Sequence, residues 1–415
     1  MKKRILFISA LDFKEKSIQV IRNTPEAFVN AGWDVHYVVL RDNSKLGDYF
    51  YEDVINPTGI NIYREEFPLT NLKNKTNAII LLSILRIFSN YIGIFKLFRM
   101  SRTVMKTQKF DVVYGYEAHG IWAAKLLNFF KKFKTEKFVA RFQGTFYNKY
   151  LDNKNWKKIL FNIEVFSPLY LNSDLCIMTN DGTQGDKVLA RIKSRHQKNL
   201  KFWVNGVDLL KLDDNKIFAL RNELSPGVEN VILSISRLEK WKRLDRGILS
   251  IAKYVENTGD RNFKYIIVGD GIESNALKQL VKDNNLENEI EFTGAIPHTR
   301  VKEYLNIADV FLSLYDGSNV GNPLLEAIRT HKIIFTLNNG DTASWIQHKK
   351  NGFIFDENEN LLENISSEIE NLFSGKYNKE EILTEIVKTE KTKLWTWEER
   401  MNEEVAVVEN LIMIN

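Results

Sequence analysis

Val310-Phe311-Leu312-Ser313-Leu314, followed by Tyr315-Asp316-Gly317-Ser318-Asn319-Val320-Gly321-Asn322-Pro323-Leu324-Leu325-Glu326-Ala327, reads as a buried strand, a polar loop with glycines, and the opening of a helix. Strand, loop and helix in that order form the building unit of a parallel α/β sheet. Pro323 at a first helical position, with Asn322 as its cap, sets the loop's N–H groups at a helix N-terminus, a favourable place for an anion. Glu326, one turn in, is placed to accept hydrogen bonds from a diol such as a ribose. A plainer reading of the same carboxylate is a favourable interaction with the helix dipole.

Outward from this stretch the same alternation recurs. Arg4 to Ser9, Asp34 to Leu40, Asp111 to Tyr114, Lys137 to Phe142 and Leu175 to Thr179 read as strands separated by helix-length segments. After position 206 the pattern restarts with Asn230 to Ser236, Lys264 to Val268, Ile290 to Thr293 and Lys332 to Leu337. The expected architecture is α/β, with two doubly wound Rossmann-like domains facing across a cleft, and ligands beyond the carboxyl ends of the strands. Asn205-Gly206 and the polar segment Lys211 to Asn222 mark the junction. The expected domains are residues 1–205 and 206–390, with residues 391–415 as a C-terminal helix returning to the first.

The 415 residues are 44% apolar and 27% charged, a globular composition that excludes disordered, collagenous and disulfide-scaffold classes. The single cysteine, Cys176, lies in an apolar run and reads as core. The net charge of +5 hides an asymmetry: residues 1–205 carry 33 Lys and Arg against 18 Asp and Glu, and the remainder 25 against 35. The apolar start, Ile5 to Leu11, ends at Asp12 and Lys14 and reads as a first strand, not a signal peptide. Ala78 to Phe98 is interrupted by Arg86, Asn90 and Lys96, so it reads as a core or bilayer-interface helix and not as a membrane span.

Arg237 and Lys242, five residues apart after a strand, are spaced to converge on one diphosphate, the first by its planar fork and the second as a point charge; alone, they read equally as a solvated basic loop. Gly269-Asp270-Gly271, after the next strand, allows a tight turn or close approach to a ligand. No Asp-x-Asp triplet and no His/Cys cluster with metal-ligand spacing occurs, and no G-x-G-x-x-G follows the first strand, which weighs against a nicotinamide-dependent oxidoreductase.

Taken together, Arg237 and Lys242, Gly269-Asp270-Gly271, Phe292-Thr293-Gly294-Ala295-Ile296, Ala308 to Ser313, Gly321 to Ala327 and Asn351-Gly352-Phe353 resemble, in order and spacing, the C-terminal domain of family 4 glycosyltransferases. Those are retaining enzymes of the GT-B fold, group 1 type. Asn205-Gly206-Val207-Asp208 and Thr396-Trp397-Glu398 extend the likeness, which is strong over residues 200–400 and weaker before. The resemblance implies a hexosyl-type transferase (EC 2.4) in which Arg237 and Lys242 hold the donor diphosphate and Glu326 holds the ribose. Gly269, Gly294, Ile296, Ser318, Asn319, Val320, Gly321 and Asn322 would complete the donor site. The family's first glutamate should stand at position 318, where this chain has Ser318; Asp316 is the nearest substitute. Asp111 to Gly120 resembles the family's strand-then-histidine segment, which implies that His119 lies near the reacting sugar as a catalytic, acceptor-side residue beside the catalytic candidates Asp316 and Glu326, and Gln143-Gly144 match the acceptor side more loosely.

The resemblance implies a retaining enzyme moving a sugar from a nucleotide sugar to a glycan or lipid-linked acceptor in cell-surface polysaccharide synthesis, and the lack of metal-ligand motifs leads to the expectation that it needs neither metal nor cofactor. The alternative is a catalytically impaired relative serving as a nucleotide- or glycan-binding subunit, suggested by Ser318. The basic first half, the Ala78 to Phe98 helix and Phe129-Phe130-Lys131-Lys132-Phe133-Lys134 point to peripheral attachment at an anionic, cytoplasmic membrane face. No nucleic-acid-binding motif accompanies the positive charge.

Overall fold

Strands built from β-branched and aromatic residues, buried on both faces, pair in parallel and leave their helices to cover them. The computed structural model describes residues 2–14, 19–44, 53–75, 78–130, 136–208 and 213–413. Two units result. One comprises residues 1–180, 184–205 and 397–415, and the other residues 181–183 and 206–396.

The first unit holds a seven-stranded parallel sheet: β1 (Arg4–Ser9), β2 (Asp34–Arg41), β3 (Ile60–Glu66), β4 (Val112–Tyr116), β5 (Lys137–Phe142), β6 (Leu175–Thr179) and β7 (Leu200–Trp203), in the order β3-β2-β1-β4-β5-β6-β7. The second holds β8 (Asn230–Ile235), β9 (Phe263–Val268), β10 (Ile290–Gly294), β11 (Val310–Ser313), β12 (Ile333–Leu337) and β13 (Phe353–Phe355), in the order β10-β9-β8-β11-β12-β13. Strand order therefore reverses between β1 and β4 and again between β8 and β11, and these are the points where α/β sheets bind ligands.

In β1 the strand period of two sorts the core: Leu6 and Ile8 enter the apolar cluster on one face, Ile5 and Phe7 the cluster on the other. Helix Trp397–Met413 places Val405 and Val408 in the cluster that holds Ile5 and Phe7. It also carries a buried charge cluster to the sheet. Glu404 is ion-paired with Arg400 at 2.7 Å and with Arg141 of β5 at 4.0 Å, and it accepts the Tyr114 hydroxyl of β4. Arg141 donates onward to Thr179 Oγ1 at 2.9 Å, and Arg400 stacks over the Trp203 ring at 4.4 Å. Cys176 is buried in β6.

Helix Ile79–Thr107 extends well beyond the apolar stretch that announced it. Its buried positions Asn90, Ile94, Leu97, Ser101 and Val104 recur every three or four residues, so one stripe packs inward. By length and composition Leu81–Thr107 is also apolar enough to cross a bilayer. Lys131, Lys132, Phe133 and Lys134, expected to form a basic aromatic cluster, lie outside the described residues.

Glu404→Gln keeps the volume of that side chain but leaves Arg141 and Arg400 buried without their counter-ion. Breaking such a pair costs about 3–5 kcal/mol, a Tm decrease of roughly 10 °C for a unit of this size. Thermal unfolding measures it, and an unchanged Tm contradicts the role given to Glu404.

Candidate functional site

At the carboxyl edge of the second sheet the loops after β8 and β9 are pressed together. A Cβ on Gly269 would lie 1.8 Å from the Ser236 carbonyl oxygen, and one on Gly271 2.4 Å from that of Leu238, so both positions need glycine. Gly269 N–H donates to the Gly294 carbonyl at 2.9 Å, which draws the end of β10 into the same edge. Gly269, Gly294 and Arg237 are thereby brought together. Ile296 follows two residues after β10 ends, ahead of the short turn His298–Arg300.

Arg237 is largely exposed and pairs with Glu239 at 2.7 Å. Lys242 is the more unusual cation. Its ammonium lies 4.0 Å from the centre of the Trp241 ring and 3.8 Å from that of Tyr315, between two aromatic faces. Burial, and then repulsion from Arg237, bring its pKa down to about 8. Arg243, next in sequence, adopts a left-handed backbone (φ 49°) that is uncommon for a side chain of this kind; its guanidinium lies 3.0 Å from Asp245 and 3.5 Å from Asp316.

The loop after β11 is held from within. Asn319, buried, accepts from the Tyr315 N–H at 2.9 Å and the Ser313 hydroxyl at 2.7 Å, and donates to Asn339 Oδ1 at 2.9 Å. Val320 is buried beside it. Ser318 Oγ accepts from the Val320 N–H at 3.2 Å and donates to the Asp181 carbonyl at 3.3 Å. Asp316 is engaged by Arg246, 2.9 Å away and almost wholly buried, as well as by Arg243. Helix Asn322–Arg329 opens one residue earlier than expected: Gly321, extended at φ −160°, is the N-cap, Asn322 is already helical, and Pro323 follows in the first turn. Glycine satisfies the cap by its backbone alone, and Pro costs nothing where the N–H has no intrahelical partner. Glu326 is buried on this helix, its Oε1 3.2 Å from His298 Nε2, a hydrogen bond that raises the His298 pKa.

At the carboxyl edge of the first sheet, β4 turns sharply into helix Glu117–Phe129. Glu117 at the turn is left-handed (φ 55°). The turn closes because Gly115 and Gly120 lack side chains: a Cβ on Gly120 would meet the Ile8 carbonyl oxygen at 1.9 Å, one on Gly115 the Ile121 Cα at 2.8 Å. Glu117 accepts the Gln143 N–H at 2.5 Å, and Gln143 donates from Nε2 to the Tyr116 hydroxyl at 2.8 Å. His119, Gln143 and Gly144 thus follow neighbouring strands. Burial, with a smaller effect from Lys73, pushes the His119 pKa down to about 4, so the ring is neutral at pH 7. Among the described residues no three His, Cys, Asp or Glu side chains gather into a metal site.

Glu117, Trp241, Tyr315 and His298 were given no role in the sequence reading. The first left a signal in the Gly115 and Gly120 spacing; the ring pair around Lys242 comes from two separate loops and left none.

Residues 215–389 match the model of a family described as glycosyl transferases group 1. The alpha-monoglucosyldiacylglycerol synthase of Acholeplasma laidlawii is 23% identical over 42% of this chain and 45% of its own length. This chain spans less than half the length of the curated relatives it matches. Across the full chain the fold is that of solved GT-B glycosyltransferase structures. Sucrose-phosphate synthase from Thermosynechococcus elongatus superposes with a TM-score of 0.72 at 15% identity over 100% of both chains. Anabaena Alr3699/HepE, solved in complex with UDP, has a TM-score of 0.67 at 16% identity over 99% of this chain and 100% of its own. The doubly wound pair of sheets expected from the sequence is the fold found, and the family resemblance is matched over most of the second unit.

Only the neutral amine of a lysine reacts with an acylating reagent. Acetylation of Lys242, followed by mass spectrometry, should therefore reach half its maximal rate near pH 8, about two units below an ordinary lysine. A midpoint near 10 contradicts the desolvated setting between the two rings.

Proposed function

We propose that the protein is a retaining glycosyltransferase that takes a sugar from a nucleotide sugar and delivers it to a glycan or lipid-linked acceptor for cell-surface polysaccharide. The observation that carries this reading is the gathering of Arg237, Lys242, the Gly269 loop and the start of helix Asn322–Arg329 at one switch point of the second sheet. Two cations and a helix N-terminus suit a departing diphosphate. Glu326, one turn into that helix and already in a hydrogen bond with His298, is suited to the ribose. With the diphosphate charge met in this way, the reaction requires neither metal nor cofactor. The UDP bound by Alr3699/HepE supports a nucleotide donor.

By the family resemblance, the leaving phosphate departs from the face at which the acceptor attacks and takes the acceptor proton, so the anomeric configuration is retained. His119, Gln143 and Gly144 serve the acceptor. Asp316 supports positive charge at the anomeric carbon only by leaving its two arginines. Its pairing with Arg246 and Arg243, together with Ser318, favours the second reading, a nucleotide- or glycan-binding subunit without turnover. Incubation with a panel of UDP-sugars and a membrane lipid extract separates the two. Release of UDP with an α-linked product from an α-linked donor supports the enzyme, and binding without release supports the subunit. Replacing Arg237 or Lys242 by Ala should slow that release roughly 10- to 150-fold, each lost charge-assisted bond being worth about 1.5–3 kcal/mol.

The acceptor side is proposed to rest on the cytoplasmic face of the cytoplasmic membrane. Helix Ile79–Thr107 exposes Ile84, Phe88, Tyr91, Ile92 and Phe95, and helix Trp156–Phe161 exposes Trp156, Leu160 and Phe161 beside Lys157 and Lys158. Apolar side chains interleaved with cations suit an anionic interface. The protein should sediment with phosphatidylglycerol vesicles at low salt and be released as salt rises. Phe88→Ser combined with Leu160→Ser should weaken this at least tenfold. Vesicle binding by that variant at the wild-type level removes the patch from the account.

A further inference from the structure

We propose that Glu164, acting through Asn90, fixes the proton of His119 on Nε2 and leaves Nδ1 as the ring's hydrogen-bond acceptor. The inference rests on the reading that His119 serves the acceptor.

Asn90 is a buried residue on helix Ile79–Thr107. Its Oδ1 lies 3.2 Å from His119 Nε2, and its Nδ2 lies 3.1 Å from Glu164 Oε1. A carboxamide has one donating and one accepting end, and which way it faces is decided by its neighbours. Here the neighbour settles it. An ionised carboxylate only accepts, so the NH2 of Asn90 must face Glu164 and its carbonyl must face His119. A carbonyl also only accepts, so His119 Nε2 must carry the hydrogen.

Glu164, on the short helix Ile163–Phe166, is 3% exposed, and its Oε2 is buried without a hydrogen-bond partner. Burying a half-satisfied carboxylate is costly, and filling the volume would need only an apolar side chain. What a carboxylate adds is that it cannot donate. Arg86, one turn before Asn90 on the same helix, is ion-paired with Glu164, 3.8 Å from its Oε1. Phe67 packs edge-on against the His119 ring at 5.4 Å and limits its rotation, with the Lys73 ammonium over the far ring at 4.9 Å.

His119 Nδ1 has no hydrogen-bond partner among the described residues, and the low basicity of the ring keeps it neutral. Such a nitrogen is a weak base and a good hydrogen-bond acceptor. It orients the acceptor by accepting a hydrogen bond from a neighbouring, non-reacting hydroxyl of that molecule, while the attacking hydroxyl gives its own proton to the leaving phosphate. In this arrangement Glu164 and Asn90 are positioning residues.

The test uses the full chain labelled with 15N-histidine, two-bond 1H–15N correlation at pH 7, and assignment of His119 by its loss in His119→Asn. The wild type should show a single Nε2–H form. Glu164→Leu frees the Asn90 amide to turn and should give a mixture containing Nδ1–H. Glu164→Gln can donate as well as accept, so it should also give a mixture, with less Nδ1–H than Glu164→Leu. A wild-type ring protonated on Nδ1, or a folded Glu164→Leu variant with the wild-type pattern, overturns the proposal. The wild-type spectrum decides even if Glu164→Leu does not fold. Turnover measured on the same proteins tests the underlying reading separately. It should fall about tenfold in Glu164→Leu with UDP affinity unchanged, and less far in Glu164→Gln, as expected for one oriented hydrogen bond. A confirmed Nε2–H with full turnover in His119→Asn would remove His119 from the acceptor site and leave the tautomer lock standing.

Discussion

Parallel pairing is the constraint on which both units depend. A parallel strand returns only through a right-handed crossover, so a sheet covered on both faces must reverse its winding once. At the reversal the loops on either side diverge and leave a crevice lined by backbone. In the second unit the loop carrying Arg237 and Lys242 follows β8, and the loop from Tyr315 to Asn322 follows β11, the two strands flanking that reversal. In the first unit the Glu117 turn follows β4, which pairs with β1 at the corresponding place. Residues far apart in sequence meet there because of topology, before any side chain has been chosen.

The two edges differ in electrostatic character. The second gathers cations and spends its carboxylates on holding them: Glu239 on Arg237, Asp245 and Asp316 on Arg243, and Asp316 again on Arg246. Among the described residues, Lys242 alone of these cations faces aromatic rings without an acidic partner within ion-pair distance, so its charge is the most readily altered by an arriving anion. The first edge includes a histidine of low basicity and glycines that let backbone meet backbone.

Most of the central strands were legible in the sequence because burial on both faces leaves continuous apolar runs, as in Val139 or Ile266 and their neighbours. The strands that escaped, Ile60–Glu66, Leu200–Trp203 and Phe353–Phe355, are all at sheet edges. Ile60–Glu66 alternates half-buried and exposed residues, many of them polar, and resembles a loop until its neighbour is known. The residues proposed for the donor could be nominated from the sequence because strand, loop and helix keep a fixed spacing around them. The inward turn of Asn319, the capture of Asp316 by Arg246 and the ring pair around Lys242 depend on which loops become neighbours, which no local pattern encodes. The Glu164, Asn90 and His119 chain is similar: its members come from three helices and meet only through packing.

The central claim is that a nucleoside diphosphate docks on Lys242, and proton uptake on binding tests it most directly. Near pH 8.5 an amine with a pKa of about 8 is mostly neutral, and a bound diphosphate would draw a proton back onto it. Titration calorimetry of UDP in buffers of different ionisation enthalpy should then report uptake of roughly 0.7 proton for the wild type, and close to none for Lys242→Arg, whose guanidinium does not titrate. UDP binding with no proton uptake, or with the same uptake in Lys242→Arg, would place the diphosphate elsewhere and contradict the account.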